Sequence, residues 1–125
     1  MGGRGANYKI VGRLKNFRKA RIPQKKLKNY LLNPSKDKNK ATYFKSLGYS
    51  MQNFKRFEAD VRAKLATNKA LRYNANSNGS VSYQVNMQLG IDKKDIVVTV
   101  WQIDKGCDIP RLITAYKNTK RYFRR

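Results

Sequence analysis

Three side chains near the end of the chain could contact a phosphate group. Arg111, Thr114 and Tyr116 lie in the last apolar run, residues 110–116. An arginine fork can donate hydrogen bonds to two phosphate oxygens, and hydroxyl groups can position such a group or donate a proton to it. Strand alternation places Thr114 and Tyr116 on one face and Arg111 on the other. They can share one site only if the strand lies at a sheet edge or bends near Pro110, and the hydroxyl residues could equally fill ordinary strand positions.

Histidine is absent from the sequence, which removes the commonest acid–base group and the commonest zinc ligand. Metal-free RNA cleavage, in which the 2′-oxygen attacks the adjacent phosphorus, needs a base, a stabiliser of the developing charge and an acid at the leaving oxygen. A lysine can be the base, because crowded cations lower the pKa of a neighbouring lysine, and a tyrosine or a carboxylate can also transfer protons. The composition therefore permits a ribonuclease without histidine.

The seven carboxylates are spread along the chain and do not indicate a metal site. Metal-dependent cleavage of nucleic acids needs clustered carboxylates. Asp92 and Asp95 flank one turn and Asp104 and Asp108 flank another, so we interpret them as turn formers. The single cysteine, Cys107, excludes an internal disulfide and is interpreted as an incidental small residue. We therefore expect no metal and no cofactor.

The strongest single feature is the charge. Twenty-nine lysines and arginines face seven acids, which gives a net charge of +22. So basic a surface repels itself, which predicts a polyanionic partner, RNA or DNA first, although charge could also serve solubility. No apolar run approaches the roughly 18 residues of a membrane span. The predicted nucleic-acid contacts in the basic segment 13–28 and near the C-terminus are Arg18, Lys19, Arg21, Lys25, Lys117, Lys120 and Arg121.

Hydrophobic periodicity predicts a single α+β domain over residues 8–116, with a flexible lead-in at 1–7 and a basic tail at 117–125. Helices are expected from Pro23 to Asn33, from about 39 to 47, and after Ser50. Alternation predicts strands at 70–74, 80–89, 96–103 and 110–116, and residues 8–14 could form a further short one. We expect the N-terminal helices to pack on an antiparallel meander of about four strands, with Trp101 in the core.

Three segments together resemble a known group of domains. They are residues 22–34 (IPQKKLKNYLLNP), residues 40–49 (KATYFKSLGY), and VWQI at 100–103 followed by PRLITAY at 110–116. They resemble an uncharacterised family found mostly at the C-terminal ends of bacterial polymorphic and contact-dependent toxins. The resemblance implies helices before a four-stranded sheet, similar to the barnase, EndoU, colicin and RelE-type ribonucleases. The polar positions that it implies are Lys26, Tyr30, Lys40, Arg111, Thr114 and Tyr116.

We interpret the resemblance as a toxin domain that cleaves RNA without a metal in the cytoplasm of a target bacterium, after delivery from a producer cell as part of a larger toxin. Lys26 or Lys40 would be the base, Arg111 would hold the phosphate, and Thr114 and Tyr116 would position groups or donate protons. Tyr30 would bind nucleic acid. RNA and an acidic immunity protein are the expected partners. The alternatives are a non-catalytic RNA- or DNA-binding protein and a DNA-cleaving toxin, whereas the core-forming apolar stripes disfavour a membrane-active protein.

Overall fold

The computed structural model of the chain describes residues 9–119. The predicted lead-in at 1–7 and the tail cations Lys120 and Arg121 lie outside this range. The fold is α+β, with an antiparallel sheet of five strands that lie side by side in chain order. No helix among the described residues is long and apolar enough to cross a membrane.

Three helices follow one another in the first half of the described chain. They are α1 (Gln24–Lys26), which continues as a π-helical turn over Leu27–Leu31, then α2 (Lys38–Ser46) and α3 (Phe54–Leu65). Asp37 caps α2, and Ser50 and Asn53 form a capping box at the single 3-10 turn that leads into α3. Side-chain oxygens at these positions accept hydrogen bonds from backbone N–H groups that would otherwise have no partner.

The π-helical turn changes which residues of the first helix face the core. Leu32 N donates to Leu27 O at 3.0 Å, a bond that spans five residues. Leu27, Leu31 and Leu32 are buried, whereas Tyr30 is 57% exposed. The spacing of Leu27, Tyr30 and Leu31 at i, i+3 and i+4 would place all three on one face of a regular α-helix, but the wider turn moves Tyr30 outward.

The strands are β1 (Lys9–Ile10), β2 (Ala70–Ala75), β3 (Val81–Leu89), β4 (Asp95–Ile103) and β5 (Arg111–Lys117). Four of them correspond to the predicted strands, and the antiparallel α+β class is confirmed. The expectation of about four strands after N-terminal helices is matched only in part, because a fifth strand, β1, lies within residues 8–14 and precedes the helices. The two-residue β1 pairs with β2 and precedes the helices, and it is too short to show a period.

The helices pack on one face of this sheet. Phe57, Val61 and Leu65 of α3 are fully buried and belong to the same cluster as Trp101 and Val85. Each such side chain contributes on the order of 1.5–3 kcal/mol through burial. The predicted core position of Trp101 is therefore confirmed.

Buried polar atoms on this face are paired. Trp101 Nε1 donates to Thr99 Oγ1 at 2.8 Å, and Thr99 Oγ1 donates to Val85 O at 2.8 Å. The side chain of Tyr49 is also buried. These hydrogen bonds, which join residues of β3 and β4, offset the cost of removing their polar groups from water.

Candidate functional site

A pocket, which we call the Lys40 pocket, opens between the π-helical turn, the start of α2 and the edge strand β5. Its volume is about 250 Å³, so an occupant is limited to a fragment such as one sugar-phosphate unit. Four of the six polar positions implied by the resemblance meet here. The lining residues are Lys26, Tyr30, Leu31, Lys36, Asp37, Lys40, Ile113 and Thr114.

Lys40 is fixed at the wall of this pocket through both its backbone and its side chain. Its backbone N–H donates to Asp37 Oδ1 at 3.0 Å, the cap of α2. Its Nζ atom donates to Thr114 Oγ1 at 2.8 Å. The two bonds join the first turn of α2 to β5, so the ammonium group has a defined position relative to the sheet edge.

Lys26 and Tyr30 enter the pocket from the opposite wall. They are four residues apart on α1 and its π-helical turn, a spacing that places two side chains on neighbouring parts of a helix surface. Lys26 is partly buried, and Tyr30 is exposed. The same turn that sends Leu31 to the core therefore presents the phenol of Tyr30 to the pocket.

A β-bulge alters the alternation of β5. Thr114 pairs with Val100, whereas Leu112 pairs with the next residue of β4, Trp101. Two residues of β5 are thus used where β4 uses one, and Ile113 is the extra residue.

The bulge brings the polar residues of β5 to one face. Arg111 lies opposite Gln102, and Tyr116 lies opposite Val98, in the alternate rows that flank the row of Thr114. Alternate residues of β4 share a face, so their partners share it as well. The prediction that Arg111 and Thr114 lie on opposite faces is therefore wrong, because it assumed an unbroken period of two.

Arg111 is engaged by a carboxylate. Its Nε donates to Asp104 Oδ2 at 2.9 Å, and its Nη2 donates to Asp104 Oδ1 at 3.3 Å. These bonds, followed by a bond from Gln102, lower the pKa of Asp104 below its ordinary value. Both side chains are about 40% exposed, so solvent screens the pair and it contributes little to stability. Arg111 does not line the Lys40 pocket, which alters its expected role beside the reacting phosphate.

The pocket has an excess of positive charge. Lys26, Lys36 and Lys40 line it together with one carboxylate, Asp37. Among residues 9–119 none of these lysines forms an ion pair, so their charge is available to an anionic ligand. The ion pairs of the described chain are Lys15–Asp108, Arg56–Asp60, Arg62–Glu58 and Arg111–Asp104.

Other predicted nucleic-acid contacts lie outside the pocket, on the first basic segment. Arg18 and Lys19 belong to a 3-10 turn, and the Arg18 guanidinium lies 4.9 Å from the ring centre of Phe17. Arg21 forms a one-residue parallel bridge with Arg111 at the outer edge of β5. Lys25 is exposed on α1.

The far end of β5 carries the remaining predicted residues. Tyr116 is 40% exposed, and Lys117 is the last residue of the strand rather than part of a tail. The Lys117 Nζ atom lies 6.0 Å from the ring centre of Tyr43, which donates a hydrogen bond to Asp95 at 2.9 Å. Burial, followed by this hydrogen bond, raises the pKa of Tyr43, so this phenol stays protonated.

Three residues that line or shape the site escaped the sequence analysis, namely Lys36, Asp37 and Ile113. An Asp directly before a predicted helix is an N-cap signal that could have located Asp37. Nothing in the local sequence distinguishes Ile113 as a bulge. The described residues contain no group of three or more histidine, cysteine or acidic side chains able to hold a metal ion.

Residues 13–119 match the family described as Domain of unknown function (DUF6883). The chain belongs to this family. The matched span contains every residue that lines the Lys40 pocket, together with Arg111 and Tyr116, but the DUF6883 description carries no activity. No curated protein and no solved structure matches the chain.

Proposed function

We propose that this DUF6883 domain is a metal-independent ribonuclease that acts as a bacterial toxin. The observation that carries the proposal is the hydrogen bond from Lys40 Nζ to Thr114 Oγ1, in a pocket that Lys26, Lys36 and Tyr30 also line. Such a pocket combines an oriented amine, further cations and a phenol. These are the groups that cleavage at a phosphodiester needs when histidine is absent.

The roles follow from the donors and acceptors that are present. As the general base, the amine of Lys40 stays hydrogen-bonded to Thr114 and accepts the proton of the 2′-hydroxyl, whose oxygen then attacks phosphorus. Lys26 and Lys36 stabilise the additional negative charge on the phosphorane oxygens. Tyr30 donates its proton to the leaving 5′-oxygen. The products are a 2′,3′-cyclic phosphate and a free 5′-hydroxyl.

RNA is favoured over DNA by the chemistry of the nucleophile. DNA lacks the 2′-hydroxyl, so its cleavage requires an activated water, for which clustered carboxylates with a metal are the usual means. One carboxylate lines this pocket, and its Oδ1 atom already accepts the hydrogen bond that caps α2. The lysines are suited to a substrate that carries its own nucleophile.

The charge supports the rest of the proposal. A producer cell must protect itself from such a domain, and a net charge of +22 is complementary to an acidic immunity protein that covers the pocket. We propose delivery from the producer as part of a larger toxin and action in the cytoplasm of the target cell. The family resemblance is the basis for this setting.

The direct test is incubation of the purified chain with total RNA in EDTA, with DNA of the same length as a control. We expect RNA fragments with cyclic phosphate ends and intact DNA. Intact RNA at micromolar protein, together with unchanged cell toxicity of a Lys40→Met variant, would refute the ribonuclease assignment.

A second candidate is a non-catalytic nucleic-acid-binding protein. It is favoured by exposed cations outside the pocket, such as Arg18, Lys19 and Lys25. In that case each lysine-to-methionine variant lowers affinity by a similar small factor, and RNA stays intact. A loss confined to the pocket variants instead supports the ribonuclease.

A further inference from the structure

We infer that Arg111 and Arg21 form a second phosphate-binding site, one nucleotide away from the Lys40 pocket. The inference rests on the proposed ribonuclease function and names its substrate class, a single-stranded RNA segment with at least two consecutive phosphates. The resemblance implied that Arg111 holds the reacting phosphate. In the arrangement inferred here, Arg111 contacts the neighbouring phosphate instead.

The spacing comes from the register of the sheet. Thr114 lies opposite Val100, and Arg111 lies opposite Gln102, two residues further along β4. Two residues of a strand rise roughly 7 Å. This separation is comparable to that of successive phosphates in an extended single strand. Without the bulge at Ile113, Arg111 would lie on the other face and the two positions could not contact one backbone.

A second arginine is fixed beside Arg111 by the backbone. Arg21 N donates to Pro110 O at 2.8 Å, and Leu112 N donates to Arg21 O at 2.9 Å. The bridge positions Arg21 next to Arg111 at the edge of the sheet, and Arg21 is exposed to solvent. Asp104 pairs with Arg111, and no ion pair is found for Arg21 among residues 9–119, so the positive charge of Arg21 remains uncompensated at this end of β5.

Asp104 is a positioning residue in this arrangement. Its carboxylate accepts hydrogen bonds from Nε and Nη2 of Arg111, which leaves Nη1 as a donor for a phosphate oxygen. Gln102 Nε2 donates to Asp104 Oδ1 at 2.7 Å and so holds the carboxylate in place. A preorganised arginine loses less entropy when it binds a phosphate than a mobile one does.

The substrate is expected to be single-stranded because the pocket and the edge site lie along one strand. A nucleotide whose sugar-phosphate enters a pocket of about 250 Å³ between α1 and β5 must be unstacked from its neighbours. Loops and unpaired ends of RNA allow such unstacking, whereas a stacked duplex resists it.

The experiment compares cleavage of a dinucleotide, which has one phosphate, with that of the two trinucleotides that extend it at either end. We expect kcat/KM to rise at least tenfold for one of the two extensions. Arg111→Met and Arg21→Met lower the ratio of trinucleotide to dinucleotide kcat/KM towards one. Arg72→Met, which removes an exposed arginine from β2, is the matched control and keeps the ratio of the parent.

Asp104→Asn tests positioning, and it should raise KM for the extended substrate while kcat for that substrate is retained. A ratio that is independent of length, or an Arg111→Met variant whose ratio equals that of the parent, would overturn the second site.

Binding separates this inference from the proposed function. Calorimetry with 2′-O-methyl oligonucleotides, which cannot be cleaved, should show that the favourable extension binds more tightly and that Arg111→Met removes the gain. Such binding without any cleavage of ordinary RNA would refute the ribonuclease and support the phosphate site. Cleavage of ordinary RNA together with an affinity that does not depend on oligonucleotide length would support the ribonuclease and refute the second phosphate site.

Discussion

Removal of the Lys40 ammonium is the sharpest perturbation that the structure offers. Lys40→Met keeps an unbranched four-atom stem but deletes the group that donates to Thr114 Oγ1 at 2.8 Å. A positioned acid–base group contributes about 10²–10⁴-fold to rate, so kcat/KM should fall by that factor, which corresponds to about 2.7–5.4 kcal/mol of transition-state stabilisation. The assay is initial-rate cleavage of a fluorescent oligoribonucleotide in EDTA.

Thr114→Val gives the graded comparison, because it removes the hydroxyl at nearly constant volume. A typical intramolecular hydrogen bond contributes about 0.5–1.5 kcal/mol, and the upper end applies because this bond orients the amine that acts as the base. We therefore expect a loss of about tenfold. The double variant should be no worse than Lys40→Met alone, since the hydroxyl acts through the lysine.

The control is Lys45→Met, the same substitution at an exposed position of α2 outside the Lys40 pocket. It should retain the parental rate. Thermal unfolding of each variant checks that it is folded. A loss of about 1 kcal/mol in stability lowers the unfolding temperature by only about 4 °C, so the variant remains folded under the assay conditions. A Lys40→Met rate within threefold of the parent, or additive losses in the double variant, would refute the assigned role of Lys40.

Three further predictions concern the fold. Gly90→Ala should prevent stable folding, because a Cβ at this position, where φ is +135°, would lie 2.0 Å from Lys93 O. A Cβ at Gly106 would have no atom within 4 Å, so Gly106→Ala should lower the free energy of unfolding in denaturant by only about 1–2 kcal/mol. Tyr49→Phe should lower the free energy of unfolding by about 1–3 kcal/mol, because the phenol donates to Asp60 and accepts from the backbone N–H of Gly90. Burial raises the pKa of Tyr49. The stability that this phenol provides in the parent is therefore fully present below pH 10 and is lost as the pH rises above it. The pKa of Asp104 is lowered, so the small stability that its screened pair with Arg111 provides is lost as the pH falls below about 4. Asp104→Asn should reduce this small loss in acid titrations followed by circular dichroism.

The helices and strands could be predicted because their signals are local. Phe57, Val61 and Leu65 follow Ser50 at helical spacing, which is a local signal for α3, and the alternation over residues 80–89 is one for β3. A short strand was considered within residues 8–14, and β1 lies there, but its two-residue extent could not be read from periodicity because it is set by pairing with β2.

The candidate site was predicted residue by residue and not as an arrangement. The family resemblance named Lys26, Lys40 and Thr114, but no spacing along the chain shows that Lys40 lies within 2.8 Å of a hydroxyl 74 residues later. The resemblance also named Arg111 without showing its partner, Asp104. Ion pairs and pockets depend on which side chains the packing of distant elements brings together.

The sequence by itself determined the charge, the α+β class and the chemical types available, because composition and periodicity are properties of the chain. Tertiary structure decided where those groups act. The π-helical turn moved Tyr30 out of the core, and the bulge at Ile113 reversed the face of Arg111. Each is a shift of a single residue in backbone register, which pairing and packing select and the local sequence does not encode.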